Sequence, residues 1–286
     1  MFTALQIVPP PQRGPLGRLL AHLRRPPVIL ERVEVPGDPP VFFDLITTER
    51  NKRGIDWQTV YRAAGENAQR LLLPLGTEPP DGSGIARFDP TRFFRVTLAN
   101  GAISVLEQAA KRGARLSVAL FDKNAACTAL LPRLLACAEE LRVVTLRPDD
   151  VDACAEALLI RMGAAPIVST DPASTADCRV ALAPYGTAGF GFLPCHPFLF
   201  APDLSGSLQV EADSFRFPTL AEWVPPGIHP TEFAAALWQF GRRRELAASI
   251  PQYFVRLDKK FQQNQLIDAI CGLDTGTANH YNETII

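Results

Sequence analysis

An α/β protein built on a doubly wound parallel sheet is the fold class this sequence predicts, with a small N-terminal α+β unit before the sheet and C-terminal helices after it. Three observations predict it. Apolar runs of strand length recur through the middle third, helix-patterned stretches of roughly 10 to 14 residues separate them, and the runs are apolar throughout, as strands covered on both faces must be.

Residues 1–90 read as the α+β unit. ALQIV, PVILERVEV and VFFDLIT are strand-like, and IDWQTVYRAAGENAQRLLL places Ile55, Val60, Ala64, Ala68, Leu71 and Leu72 near helical spacing. GTEPPDGSGIARFDP is a turn-rich connector and the clearest boundary in the chain. In the parallel domain, 91–206, FFRVTL (93–98) reads as a strand, AISVLEQAAKRG (102–113) as a helix closed by glycine, and RLSVALF (115–121) as the next strand. Asn124 can cap a helix through Leu130, Leu131, Leu134 and Leu135. LRVVTL (141–146) follows as a strand, and Asp149 or Asp150 can cap a helix through Ala155, Leu158 and Leu159. APIVST and CRVALAP supply two further strands. The stretch 180–202 contains no Asp, Glu, Lys or Arg, but its prolines and glycines break any spanning helix, so it reads as strand, loop and strand.

Residues 207–272 read as an extension packing on the parallel domain: SLQVEADSFRFP as a strand or tight hairpin, then helices. Pro230 suits a first helical turn, with Phe233, Leu237 and Phe240 as one stripe and Ile250, Phe254, Leu257 and Phe261 as a second. Residues 273–286 are polar, aperiodic and expected to fray.

The chain of 286 residues is 47% hydrophobic and 21% charged with a net charge of −1, an ordinary globular composition without the basic excess of a nucleic-acid binder. Neither nucleic acid nor a membrane is expected as a partner. MFTALQIVPPPQRG lacks a secretory pattern, which suggests a cytoplasmic protein. Six cysteines without a CxxC pair or a metal-ligand spacing read as reduced, buried thiols.

The candidate ligand site begins at LANGAIS (98–104). A dinucleotide turn needs small residues where the backbone approaches a pyrophosphate, and a helix N-terminus to hold it. Ala99, Gly101 and Ser104 stand where the glycines of GxGxxG would stand, and Asn100 can bond a ligand from the turn. Asp122 follows Gly101 by 21 residues, near the ~20 expected of an acidic ribose ligand, and Lys123 can meet a phosphate. Tyr185 and Gly186, like Arg147 and Thr170, follow later strands at the edge where open α/β sheets bind ligands. If Gly101 touches a pyrophosphate, Gly101→Val abolishes binding without unfolding the protein.

On these residues the middle third resembles an NAD(P)-binding Rossmann domain. Through ADCRVALAPYGTAG (176–189) it more loosely resembles the cofactor half of shikimate dehydrogenase-like proteins. The resemblance covers about residues 93–190, implies a Rossmann-like sheet and NAD or NADP as cofactor, and carries over Gly101 and Asp122 as cofactor residues and no catalytic residue.

Other chemistries lose their signatures. Adjacent Cys195 and His196 point apart in extended backbone, Asp149 and Asp150 are better read as capping groups, and His229 as a cap-region residue. GxxxxGK[ST], GxSxG and HExxH do not occur. Two functions remain: a scaffold with a degenerate nucleotide site, binding a ligand weakly or serving a homodimer or protein partner, and an NAD(P)-dependent oxidoreductase or other dinucleotide-binding enzyme. The scaffold predicts an exposed apolar patch among Phe233, Leu237, Phe254 and Phe261.

Overall fold

The computed structural model describes residues 1–9, 27–50 and 54–272. In chain order its elements are β1 (Thr3–Val8), β2 (Val28–Val35), β3 (Val41–Glu49), α1 (Trp57–Ala64), α2 (Thr91–Lys111), β4 (Ser117–Phe121), α3 (Leu131–Cys137) and β5 (Glu140–Val144). There follow α4 (Pro148–Met162), β6 (Ile167–Ser169), β7 (Val180–Leu182), β8 (Phe198–Phe200), α5 (Pro230–Phe240), β9 (Tyr253–Arg256), β10 (Lys259–Gln262) and α6 (Gln263–Cys271). The chain divides into two compact units, Met1–Phe93 with Arg216–Ala247, and Phe94–Phe215 with Ala248–Ile286. The polar stretch 273–286 lies outside the described residues.

In the first unit the strands lie in the order β1-β3-β2, with β1 parallel and β2 antiparallel to β3. Leu5 and Ile46 pack with Val60 and Ala64 of α1 and with Ala68 and Leu71 beyond it. Asp56 opens α1 by accepting from the Thr59 backbone N–H at 3.2 Å. The helix α5 belongs to this unit, whereas its apolar stripe leads the sequence to place it on the parallel sheet. The reason is aromatic: Phe233 meets the stacked Phe2 and Phe43 rings edge-on, at centroid distances of 5.9 and 5.3 Å. His229 caps α5, its Nδ1 accepting from the Thr231 N–H at 3.2 Å. Arg87 donates to the carbonyls of Leu73, Pro74 and Thr77 and pairs with Glu232 at 3.2 Å. Burial pushes the Glu232 carboxyl up, against the opposing pull of Arg87.

The second unit is a five-stranded, wholly parallel sheet in the order β6-β5-β4-β7-β8, a mixed α/β, Rossmann-like architecture. Register sets Val118 beside Leu141 and Val180, and Val180 beside Phe198, so these side chains share one face. The crossovers β4–α3–β5 and β5–α4–β6 run in the same direction across the sheet, and right-handed connections therefore put α3 and α4 on the same face. Leu131, Leu134, Val151 and Leu158 fill the core there. On the opposite face Ala119, Phe121, Ala181 and Leu199 are closed over by Phe190 and Leu193 from the glycine-rich connection between β7 and β8. After β6 the chain returns to lay β7 beside β4, so the strand order reverses between these two strands.

Two local expectations are corrected. FFRVTL is the start of α2 and not a strand. Asp89 accepts from the Thr91 N–H at 2.9 Å just after Pro90, which opens a helix. Phe93, Thr97, Leu98, Ala102, Val105 and Ala109 then bury at helical spacing. Packing overrides the strand preference of aromatic and β-branched residues. The stripe Phe254, Leu257, Phe261 is a hairpin and not a helix. Phe254 and Phe261 are cross-strand partners, and the turn residues Leu257 and Asp258 take φ of 48° and 64°, as a two-residue hairpin turn requires. SLQV forms only isolated bridges, Leu208 to Phe200 and Gln209 to Val255. Phe233, Leu237 and Phe254 are buried and Phe261 half-buried, so these four form no exposed patch. Among the described residues no helix is long and apolar enough to cross a membrane.

Candidate functional site

The first strand-to-helix turn of the sheet follows β4 and reads Asp122-Lys123-Asn124-Ala125-Ala126-Cys127. LANGAIS lies wholly inside α2, so its residues are not at a strand end. The change inverts the role of Gly101. It is buried in α2, and a Cβ there would stand 2.7 Å from Pro251 Cδ and 3.0 Å from Phe254 Cζ. The missing side chain lets the helix approach protein, not a pyrophosphate.

Asp122 is 2% exposed and turns its carboxylate onto its own loop. Oδ1 accepts from the Ala126 N–H at 2.9 Å, and Oδ2 from the Cys127 N–H at 2.6 Å. Its carbonyl also accepts from the Ala125 N–H at 3.2 Å, with Ala125 at φ 56°. In a dinucleotide site such N–H groups at the end of the first strand point at the pyrophosphate. Here an internal carboxylate holds them, so Asp122 is the cap of its own turn. The helix that follows is short: the 3-10 turn Thr128–Leu130 and then the seven residues of α3. The residues present at this turn do not fit a bound pyrophosphate.

The remaining predicted residues separate. Lys123 is exposed and lies along Gly189, where a Cβ would fall 2.5 Å from its Nζ. Gly186 takes φ 88° in a turn fastened by Asp203, which accepts from the Thr187 N–H at 3.0 Å. That φ favours glycine, and a Cβ would in addition crowd the Asp203 carboxylate. Arg147 is exposed at the start of α4, 3.6 Å from Asp150. Asp171, beside Thr170, caps the short 3-10 turn Pro172–Thr175.

Ala99, Asn100 and Tyr185 do come together. They line a shallow cleft of about 110 Å³ that opens to solvent above the carboxyl ends of β4 and β7. From α2 it receives Arg95, Val96, Ala99 and Asn100; the β4 turn adds Cys127 and Leu130, and the end of β7 adds Pro184 and Tyr185. This is the point where the strand order reverses, the position at which open α/β sheets bind ligands. Arg95 holds its guanidinium 5.7 Å from the centroid of the Tyr185 ring, a cation–π distance. Its Nε is buried without a hydrogen-bond partner among the described residues. Asn100 accepts from Arg133 at 3.0 Å through Oδ1. The sequence signals missed Arg95 and Val96, because both stand in the stretch that reads as a strand.

Cys127, the cysteine that lines the cleft, is not an activated nucleophile. Burial and the adjacent Asp122 push the Cys127 thiol far above its ordinary range. Cys195, by contrast, is exposed. Iodoacetamide on the folded protein is therefore expected to alkylate Cys195 and spare Cys127. Peptide mapping that finds Cys127 modified at a comparable rate would contradict this placement.

Cys195 and His196 form no catalytic pair. His196 Nδ1 lies 2.9 Å from the Cys178 carbonyl and Nε2 lies 3.4 Å from Thr175 Oγ1, with the ring 5.6 Å from Phe121. Burial holds the imidazole below its usual 6.5, against the pull of the Cys178 carbonyl. The unfolded chain thus binds a proton at pH values where the folded one does not. The contribution of neutral His196 to stability is complete above 6.5 and is lost as pH falls below it. The wild-type unfolding midpoint is expected to decline from neutral to mildly acidic pH more steeply than that of His196→Phe; equal slopes would refute it.

No family model matches the sequence, and no curated protein matches it either. Among solved structures, L-tryptophan dehydrogenase from Nostoc punctiforme is similar over 86% of this chain and 76% of its own, at 14% identity and a TM-score of 0.33. The Rossmann-like fold rests on the sheet itself: five parallel strands with the order reversing between β4 and β7. Among the described residues no cluster of three or more His, Cys, Asp or Glu could hold a metal ion.

Proposed function

We propose that this protein is a Rossmann-like, non-catalytic or weakly ligand-binding scaffold. Its switch-point cleft takes a small molecule, and its phosphate turn is closed by its own carboxylate. The observation that carries the reading is Asp122, whose two oxygens accept the N–H groups of Ala126 and Cys127 that would face a pyrophosphate. An NAD(P)-dependent oxidoreductase would need those groups released.

Thermal unfolding against NAD, NADH, NADP, NADPH, S-adenosylmethionine and adenine nucleotides tests the reading. A ligand at about 100 times its dissociation constant adds ~2.7 kcal/mol, enough to raise the midpoint by a few degrees. The expected result is no selective shift with any dinucleotide. A shift with NAD or NADP alone would overturn the proposal in favour of the dinucleotide enzyme.

A further inference from the structure

We infer that the cleft over β4 and β7 holds a small organic monocarboxylate, its carboxylate gripped by Arg95 and its apolar body laid against Tyr185, Val96 and Pro184. The inference rests on the reading of this cleft as the ligand site and names the ligand class.

Arg95 carries it. Arg133 of the second unit pairs with Glu107 and Arg142 with Glu140 and Asp177, while Arg179 donates to the Ala269 carbonyl. Arg95 has no such partner among the described residues, and its Nε–H is buried without an acceptor. A buried donor left unmade costs stability, and a charged one costs more, so such a group in a cleft marks a place for an acceptor brought from outside. A guanidinium is a planar fork that a carboxylate meets with two parallel bonds. The Tyr185 ring lies against it, with its centroid 5.7 Å from Cζ.

The charge count selects among anions. Among the described residues Arg95 is the one charged residue lining the cleft. The backbone N–H groups of the lining residues Ala126 and Cys127 are already held by Asp122. A single negative charge is therefore balanced, whereas the second charge of a phosphate would stand unpaired against mostly apolar walls. Val96, Ala99, Leu130 and Pro184 offer an organic body the contact that a bare inorganic ion would leave unused.

The test is an NMR titration of ¹⁵N-labelled protein with benzoate, isovalerate, the neutral isostere benzamide, and inorganic phosphate. It follows the Arg95 Nε–Hε resonance, assigned by its loss in Arg95→Met, together with the amides of Val96, Ala99, Leu130 and Tyr185. At least one carboxylate is expected to shift the Nε–Hε resonance saturably, with benzamide and phosphate at least tenfold weaker. Arg95→Met is expected to lose at least tenfold in carboxylate affinity while unfolding at or above the wild-type midpoint, since a buried Nε–H without an acceptor has gone. If that variant does not fold, the comparison of benzoate with benzamide on the wild type decides. The inference falls if benzamide matches benzoate, if phosphate binds more tightly, if Arg95→Met keeps its affinity, or if neither carboxylate moves the resonance at tens of millimolar. Shifts of the four amides with benzamide as strong as those with benzoate would leave the cleft a ligand site and remove only the carboxylate. Amides unmoved by every compound, together with a dinucleotide shift in the thermal panel, would remove the proposed function as well.

Discussion

Gly101→Val is expected to destabilise the second unit by about 3 kcal/mol or more, through overpacking combined with a β-branched residue held in a helix. The glycine faces two groups that cannot yield. Pro251 presents Cδ and Cγ 2.7 and 2.8 Å from the position of a Cβ, and a proline ring has no rotamer to swing away. Phe254 is fully buried and edge-on to Phe200 at 5.1 Å, so moving it displaces a second ring. The Pro251 carbonyl is itself held by the Gln263 side-chain amide at 2.7 Å. Gly101→Ala sets about 1 kcal/mol of helix propensity against an overpacking cost of about 1–3 kcal/mol, and a net loss is expected. Urea denaturation followed by far-UV circular dichroism measures both variants. Pro251→Ala should recover part of the Gly101→Ala loss, a coupling that a double-mutant cycle reads directly. Gly101→Val with wild-type stability would mean that the α2 packing described above is wrong. The sequence alone led to the opposite expectation, lost binding with an intact fold, because it placed this glycine in a ligand turn.

That reversal shows where the sequence was legible. The strands from β4 to β8 could be read because most are short apolar runs bounded by turn residues, as buried β4, β7 and β8 show. The first turns of α2 could not, since Phe93, Phe94, Val96 and Thr97 carry the composition of a strand and only the Asp89 cap and the long-range packing of the helix decide otherwise. Arg95 was hidden by the same ambiguity. Phe254 and Phe261, seven residues apart, satisfy a helical stripe and a hairpin pair equally well; the backbone at Leu257 and Asp258 separates the two, and Leu257, unlike Asp258, is not a residue type that favours a positive φ. Asp122 was singled out from sequence, but its spacing was counted from a turn that does not exist. With the true turn beginning at Asp122 itself, its carboxylate reaches the N–H groups four and five residues ahead.

Asp122→Ala accordingly has a large expected effect, a loss of about 2–4 kcal/mol, because a cap is removed and the buried Cys127 N–H is left without its acceptor. Asp122→Asn retains one carbonyl oxygen, but its amide turns a donor toward the other N–H, so its loss should fall between those of wild type and alanine. Cys127 gives a second reading. The Asp122 charge adds to burial in raising that thiol, so alkylation of Cys127 is expected to be faster in Asp122→Ala than in wild type even when opening is matched by temperature. A third measurement addresses the substitution of carboxylate for phosphate. If Asp122 supplies the negative charge that a nucleotide supplies elsewhere, its removal exposes two convergent N–H groups, and added phosphate should raise the variant's midpoint by more than it raises the wild type's. Phosphate stabilises folded proteins generally by exclusion from their surface. The difference between the two increments, and not the increment itself, is therefore the quantity that decides. Equal increments would leave Asp122 an ordinary turn cap; a larger one in the variant would identify the turn as an anion site that this protein closes with its own side chain.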